Sequence, residues 1–384
     1  MNANIKIFGL CIISLIIYSS CGQQSENNNS KITWNEPDVV VVPKKSNTPL
    51  DSIIMNIKYL KLGDTGDVLI GDVSKLWITP QHIVIVDKFK AMSIFVFDRS
   101  GNAQAVINRL GRGPQEYTSL TDVCLTPDQQ RIVVLDNSKK KLLYYNMEGD
   151  FLYDKNTSFW IGDLAYADEQ HIIAKTYGAQ NEDPGLTSYE NKDDNLYILD
   201  TLMHIKQSMM PRTAILKQFE DRLYVNAIHS DTIYRVAGSD GLVPQYRLDM
   251  SAINGVTNFG EESMEKVMEI RKNNAYFPND YVDGKDFALF RFSMPVAPYM
   301  QLIMHNKHTG QNYSIEGTSK KALNIYFMEV SYAFDDQFVA AIPAFRFVGD
   351  NTPMPGSEQR AAIQKNLTDD DNPVLLFYTL KDPE

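Results

Sequence analysis

The chain has 384 residues, with 37 Lys and Arg against 48 Asp and Glu, a formal net charge of −11 and 43% hydrophobic residues. That balance argues against nucleic acid, whose binders carry basic surface patches, and against direct adhesion to anionic lipid. Three cysteines are too few for a disulfide framework.

Residues 1–20 carry one charge, Lys6, and the run from Ile7 to Tyr18 is apolar. A lasting transmembrane helix needs about 20 apolar residues, so this run reads as an export signal. Ser19-Ser20-Cys21-Gly22 follows and resembles a bacterial lipobox, which implies a lipid on Cys21 after cleavage. Tyr18 departs from the aliphatic residue usual at that place, so a plain secretory signal is the alternative. Residues 21–35, with GQQSENNNSK, form a polar tether, and 36–384 are expected to fold as one domain. Loss of the leader removes Lys6 and leaves 36 basic against 48 acidic residues, a net −12. Only Cys124 is then free. Within TDVCLT it reads as a small buried hydrophobe.

The strongest pattern is a repeat. Residues 82–102, HIVIVDKFKAMSIFVFDRSGN, return at 131–150 as RIVVLDNSKKKLLYYNMEGD. Asp87 maps onto Asp136 and Gly101 onto Gly149, with a slip of one residue in the polar stretch between the apolar runs. Short strands recurring every 40–50 residues or so are the mark of β-propeller blades. The expected fold is therefore all-β, a six-bladed β-propeller of four-stranded antiparallel blades.

In chain order, 74–79, 82–87, 92–98 and 103–108 make the first blade. TDVCLTP, RIVVLD, KLLYYN and FLYD make the second. The third runs through 159–168, 171–177, 195–200 and HIKQSM; the fourth through 213–219, 222–228, 231–236 and 244–250. A degenerate fifth uses 286–293, 300–306 and 311–317. The sixth uses 327–334, 337–344 and 373–380 and lacks one strand. Either DVVVVP (38–43) or IKYLKL (57–62) supplies that strand and closes the ring, which removes exposed sheet edges. Two short amphipathic helices are expected at 261–273 and 357–367. In this register the three largest insertions, 178–194, 251–285 and 345–372, all emerge on one face of the disc. Long loops on a rigid scaffold commonly carry binding, so that face is the expected functional surface.

Gly111-Arg112-Gly113-Pro114-Gln115-Glu116-Tyr117 joins the first two blades on the same face. With the entry Leu62…Leu69-Ile70-Gly71, the signature VFDRSGN and the ending Asp370-Asp371-Asn372-Pro373-Val374-Leu375, it resembles the six-bladed β-propeller lipoproteins of Bacteroidetes-type bacteria. The resemblance covers residues 55–384. It implies a fold and an envelope address and transfers no catalytic residues. On physical grounds Gly111 and Gly113 permit positive φ and Pro114 stiffens the turn, so that Glu116 and Tyr117 pin the loop. The functional alternative has Arg112, Glu116 and Tyr117 lining a ligand pocket at the channel mouth. The Gly-Lys-Ser/Thr end of a phosphate loop is absent.

Other chemistry is sparse. His305-x-x-His308 offers two metal ligands without a third. His82, Arg131, His171 and Arg222 open second strands and form a basic rim on the face opposite the insertions. The acidic stretches 190–194 and 368–371 would suit Ca²⁺ but lack EF-hand spacing; no other cofactor is expected. Asp51-Ser52-Ile53, Asp200-Thr201-Leu202 and Asp231-Thr232-Ile233 resemble the Bacteroidetes O-glycosylation sequon, with Ser52 the most accessible.

Two functions follow. One is a lipid-anchored, monomeric envelope module that presents its long loops to a glycan, peptide or partner protein, through residues such as Arg112, Glu116, Tyr117, Tyr177 and Arg291. Aromatic loop residues Tyr189, Tyr276, Phe277 and Tyr281 would add stacking surface. The other is a metal-dependent hydrolase or lyase of the propeller lactonase type, with Asp122, Asp163, Glu329 and Arg291 in the central channel. Fold alone does not choose between them.

Overall fold

The computed structural model describes residues 35–177, 185–193, 195–204, 215–226, 230–239, 241–257, 259, 264–317 and 321–383. Cys21 and the leader lie outside the described residues, as does the side chain of Tyr177.

Four-stranded antiparallel meanders follow one another along the chain. The first comprises Lys75–Ile78, His82–Asp87, Ser93–Asp98 and Ala103–Ile107. The second comprises Asp122–Leu125, Arg131–Asp136, Lys141–Asn146 and Phe151–Asn156. Second and third strands such as HIVIVD and SIFVFD are buried almost throughout, because both faces of each sheet pack on neighbouring sheets. That is why they read as apolar runs and not as alternation. The fourth strands are half exposed. This is an all-β fold of propeller type.

The repeat has a physical cause in two buried carboxylates. Asp87 ends its strand and accepts the backbone N–H groups of Gly71, Asp72, Phe89 and Lys90 at 2.8–3.2 Å. Asp136 accepts those of Thr118, Ser138 and Lys139, together with the Thr118 and Ser119 hydroxyls. Each one therefore ties the loop entering its meander to the turn between its own second and third strands. The one-residue slip falls in that turn, 88–92 against 137–140. Gly101 and Gly149 take φ of +85° and +86° in the hairpins that follow, next to register shifts at Val96/Phe97 and Tyr144/Tyr145. Only glycine adopts that backbone without strain.

The third meander differs from the expected one. Its strands are Trp160–Tyr166, His171–Tyr177, Gly185–Lys192 and Asn195–His204. Residues 185–192 of the expected insertion 178–194 are thus its third strand, and NLYILD belongs to the fourth. A single parallel pair, Asn156↔Asn195, joins the second and third meanders into one eight-stranded sheet. The fourth meander is Leu216–Phe219, Arg222–Val225, Thr232–Ala237 and Gly241–Asp249.

The fifth also needs correction. Ala275–Asp283 is its first strand, so Phe287–Ser293 is its second; Met300–Asn306 and Asn312–Glu316 complete it. The stretch AYFPNDYVD was hidden from pattern reading by its Pro and Asn-Asp, which usually mark loops. The helix expected at 261–273 is present as Met264–Asn273, its first turn lying outside the described residues; that at 357–367 is Ser357–Gln364. A further helix, Lys321–Met328, had no sequence expectation.

Val330–Phe334, Gln337–Ile342 and Val374–Leu380 form the last meander, and Ile54–Lys61 pairs antiparallel with the third of these as its fourth strand. IKYLKL is therefore the closing strand. DVVVVP instead gives Asp38–Val41, which pairs in parallel with the outer edge of Gly241–Asp249. Thr48–Pro49 does the same beside Asn312–Glu316. The N-terminal segment thus runs along the outer edges of three successive meanders. The outermost edge of Ile54–Lys61 is capped by Gln359, whose amide exchanges two hydrogen bonds with the Tyr59 backbone, at 3.1 and 2.8 Å. Covered edges resist strand addition by other chains. Asn372 fastens the closure, accepting from the Ile70 N–H and donating to the Gly63 carbonyl.

Candidate functional site

Strand direction alternates within a meander, so turns after first and third strands share one face and the remaining connections share the other. Turns 79–81, 126–130, 167–170, 220–221, 284–286 and 335–336 follow first strands, and 99–102, 147–150 and 307–311 follow third strands. All of them hold two to five residues. The long connections 62–74, 108–121, 250–274, 317–329 and 343–373 all leave the other face. Of the three insertions expected to crowd one face, 251–285 remains as the shorter 250–274 and 345–372 as 343–373, whereas 178–194 contains the strand Gly185–Lys192. Connection 343–373 is also a brace: Arg360 in it pairs with Asp350 at 2.6 Å, and Tyr59 donates to the Pro355 carbonyl.

GRGPQEY occupies the 108–121 connection. Tyr117 is 0% exposed; its hydroxyl lies 2.7 Å from the Met92 carbonyl and 2.9 Å from that of Ile107. Burial pushes this phenol up to about 12. Glu116 Oε2 accepts the Gly113 N–H at 2.7 Å, and a Cβ on Gly111 would stand 2.0 Å from the same oxygen. Neither Gly111 nor Gly113 takes the expected positive φ, and a methyl at 111 would be accommodated if the end of the Glu116 side chain gave up its place. Lys139 donates to the carbonyls of Gly113 and Glu116, and Tyr145 to that of Gln115. Tyr117 has no surface left with which to touch a ligand, and Glu116 already holds the turn. Arg112 is exposed and makes no hydrogen bond or ion pair among the described residues.

The inner strands carry a second group of polar side chains. Asp122, 1% exposed, is held by Lys75 at 2.8 Å and Lys88 at 3.3 Å and accepts the Leu164 N–H of the next meander. Burial works to raise its pKa, and the two ammoniums outweigh burial and lower it. Asp163 Oδ2 accepts the N–H groups of Ile215 and Leu216 at 2.8 Å, while its buried Oδ1 has no partner. Burial, and then the charge of Asp122, raise its pKa. These two carboxylates stitch the first strands of the second, third and fourth meanders together.

Arg291 lies in the second strand of its meander and not on an inner one, because the sheet begins at Ala275. It is 3% exposed, donates to Asp280 at 2.7 Å and to the Val330 carbonyl, and its Nε has no partner. Lys217, half-buried, donates to the Tyr281 carbonyl at 3.2 Å and sits 4.6 Å over the Tyr281 ring. Burial holds this lysine down to about 8.

The remaining sequence candidates are dispersed. Glu329 pairs with Arg346 at 2.6 Å, away from Asp122 and Asp163 in its partners, so the four residues named for a metal enzyme do not converge as ligands. Among the described residues no group of three or more His, Cys, Asp or Glu is arranged to hold a metal ion. His305 faces Asn312 and His308 faces Asp286, so that pair does not act together. The expected basic rim is largely neutralised: Arg131 pairs with Asp128, His171 with Asp168, and Arg222 with Asp283. Cys124 is buried, and burial pushes its thiol up to about 12. Ser52 lies in the short helix Leu50–Ile53 and donates to the Pro49 carbonyl.

Sequence reading missed Lys75, Lys88 and Lys217, which stand among apolar strand residues or in an ordinary turn. It also missed a cavity of about 140 Å³ on the short-turn face, lined by Trp77, Leu125, Tyr166, Glu220 and Tyr332. That volume is small against the roughly 300–1,000 Å³ of ordinary ligand pockets.

Geometry thus defines a propeller-type protein with short turns on one face and long connections on the other. Over residues 37–379 the sequence matches the family described as "Domain of unknown function (DUF4934)", and the chain belongs to that family. Among solved structures it is similar to a Bacteroides fragilis protein classed as exported, with TM-score 0.70 and 18% identity, covering 90% of this chain and 100% of that one. It is also similar to a DUF4221-family member from Bacteroides vulgatus, with TM-score 0.54 and 12% identity, covering 88% and 99%. At these identities the likeness is one of fold. A search of curated proteins finds no match. No helix among the described residues is long and apolar enough to cross a membrane.

Proposed function

We propose that the meanders close into a six-bladed propeller, held in the cell envelope by a lipid on Cys21, whose long-connection face binds a glycan, peptide or protein of the envelope. The observation that carries this reading is the segregation of every long connection to one face of a rigid scaffold. The exported character ascribed to the Bacteroides fragilis neighbour is consistent with the address. Arg112, Lys75, Lys88 and Lys217 are the groups that would meet the ligand, with Tyr177 and Arg291 as further candidates, and Ser52 is an O-glycan acceptor.

The test is capture from an array of envelope glycans and peptides by the mature protein. Arg112→Ala and Lys88→Gln are expected to lower capture, and His308→Ala on the other face is not. Loss on His308→Ala with the first two unaffected would overturn the assignment of the face.

A further inference from the structure

Lys217 is distinguished from the other buried or half-buried cations by what it lacks. Lys75 and Lys88 share Asp122, and Arg291 holds Asp280. Lys217 has only a backbone carbonyl and a ring, and makes no ion pair among the described residues. Its proton affinity reports the neighbourhood: burial lowers it most, Asp280 raises it and Arg291 lowers it again. Two cations thus share one nearby carboxylate, which is already bonded to Arg291. The guanidinium has a second unmet group, the buried Nε.

A half-buried ammonium whose nearby carboxylate is already bonded to an arginine is under-compensated, and one further carboxylate supplies both the charge and the acceptors that are missing. We propose that Lys217, beside Arg291, is an anion site that takes a carboxylate of the bound ligand. This deepens the binding reading above and rests on it for the ligand's source, a sugar acid or a peptide C-terminus. Tyr281 is wholly buried and serves as a wall, not as a stacking surface.

The experiment is a titration of the mature protein carrying ¹³C-dimethylated lysines, with the Lys217 signal identified by its loss in the charge-conserving Lys217→Arg. Probes are D-glucuronate and acetyl-alanyl-alanine, with D-glucose and the dipeptide amide as neutral controls. An acidic probe is expected to shift the Lys217 signal selectively and to move its ionisation upward, because a carboxylate stabilises the ammonium. Which acidic probe does so identifies the source. Lys217→Met should weaken that probe about tenfold or more and Lys217→Arg should keep most of the affinity. An unmoved Lys217 signal with both acidic probes overturns the site even if Lys217→Met fails to fold. Equal binding of acidic and neutral probes, unchanged by Lys217→Met, also overturns it while leaving the face reading intact. Failure of all envelope capture with a responsive Lys217 has the opposite meaning.

Discussion

The second and fifth meanders each bury an aspartate, and they satisfy it in opposite ways. Asp136 takes its hydrogen bonds from backbone amides and hydroxyls within about twenty residues of itself, in the loops it fastens. Asp283, 0% exposed, takes them from the side chains of Tyr224, Tyr246, Arg222 and Lys307, three of which belong to the preceding meander. The first arrangement needs an Asp at a fixed place and little else, so it recurs, as Asp87 does, and shows as a repeat. The second depends on a particular set of partners brought in by tertiary packing and leaves no periodic trace.

The contrast is broken most severely at Asp283. Asp283→Ala would leave Arg222 and Lys307 short of their counter-charge and two buried phenols without an acceptor. Removing one partner of a buried ionic cluster costs about 3–5 kcal/mol, and urea unfolding should show a loss in that range. A loss below about 1 kcal/mol would mean that water reaches the cluster and compensates.

Asp136→Ala removes a carboxylate that organises neutral donors, at an expected cost of about 2–3 kcal/mol. Burial tends to raise its pKa, and the hydrogen bonds from Thr118, Ser119 and Lys139 more than reverse this and lower it. A depressed carboxylate contributes stability that is fully present above the unfolded value, near 3.9, and is lost as pH falls through the folded one. The wild-type advantage over Asp136→Asn should therefore shrink in acid below about pH 4, read from paired urea melts. An advantage that persisted unchanged to the lowest pH would place the effect in packing.

Next in size is the loop these residues fasten. Gly111→Ala sets a methyl against the end of the Glu116 side chain, which can move aside only by giving up its hydrogen bond to Gly113, an expected loss of about 0.5–1.5 kcal/mol. Adding Glu116→Ala should recover much of it, because the two sites share one contact. A fully additive double variant would show that the backbone of Gly111, and not the contact, sets the cost.

These differences explain what was legible in the sequence. The propeller type, the one-residue slip, the two candidates for the closing strand and the two helices could be read because apolar runs, turn glycines and local Asp latches are properties of neighbouring residues. The third strand of the third meander, GLTSYENK, was hidden by its polar composition, and the first strand of the fifth by Pro278 and Asn279. The second of these errors moved Arg291 onto an inner strand, where it does not lie. Within the candidate site the loop motif was visible. The lysines on Asp122 were not, because a lysine that folds over a buried acid forty-seven residues away has the same spelling as a solvated one.

The smallest structural effect carries the sharpest functional reading. Arg112 stands in the most specific motif of the chain, yet it is the residue there that contributes no hydrogen bond or ion pair to the fold. Its replacement by Ala should change stability by less than about 0.5 kcal/mol, measured by the same urea melts. Stability therefore gives no reason for an arginine at this place, and a fall in ligand capture by Arg112→Ala at unchanged stability would assign it to binding. Capture and stability both unchanged would leave GRGPQEY as a fastener alone, and the binding surface would have to be sought around Lys217 and the connections beyond it.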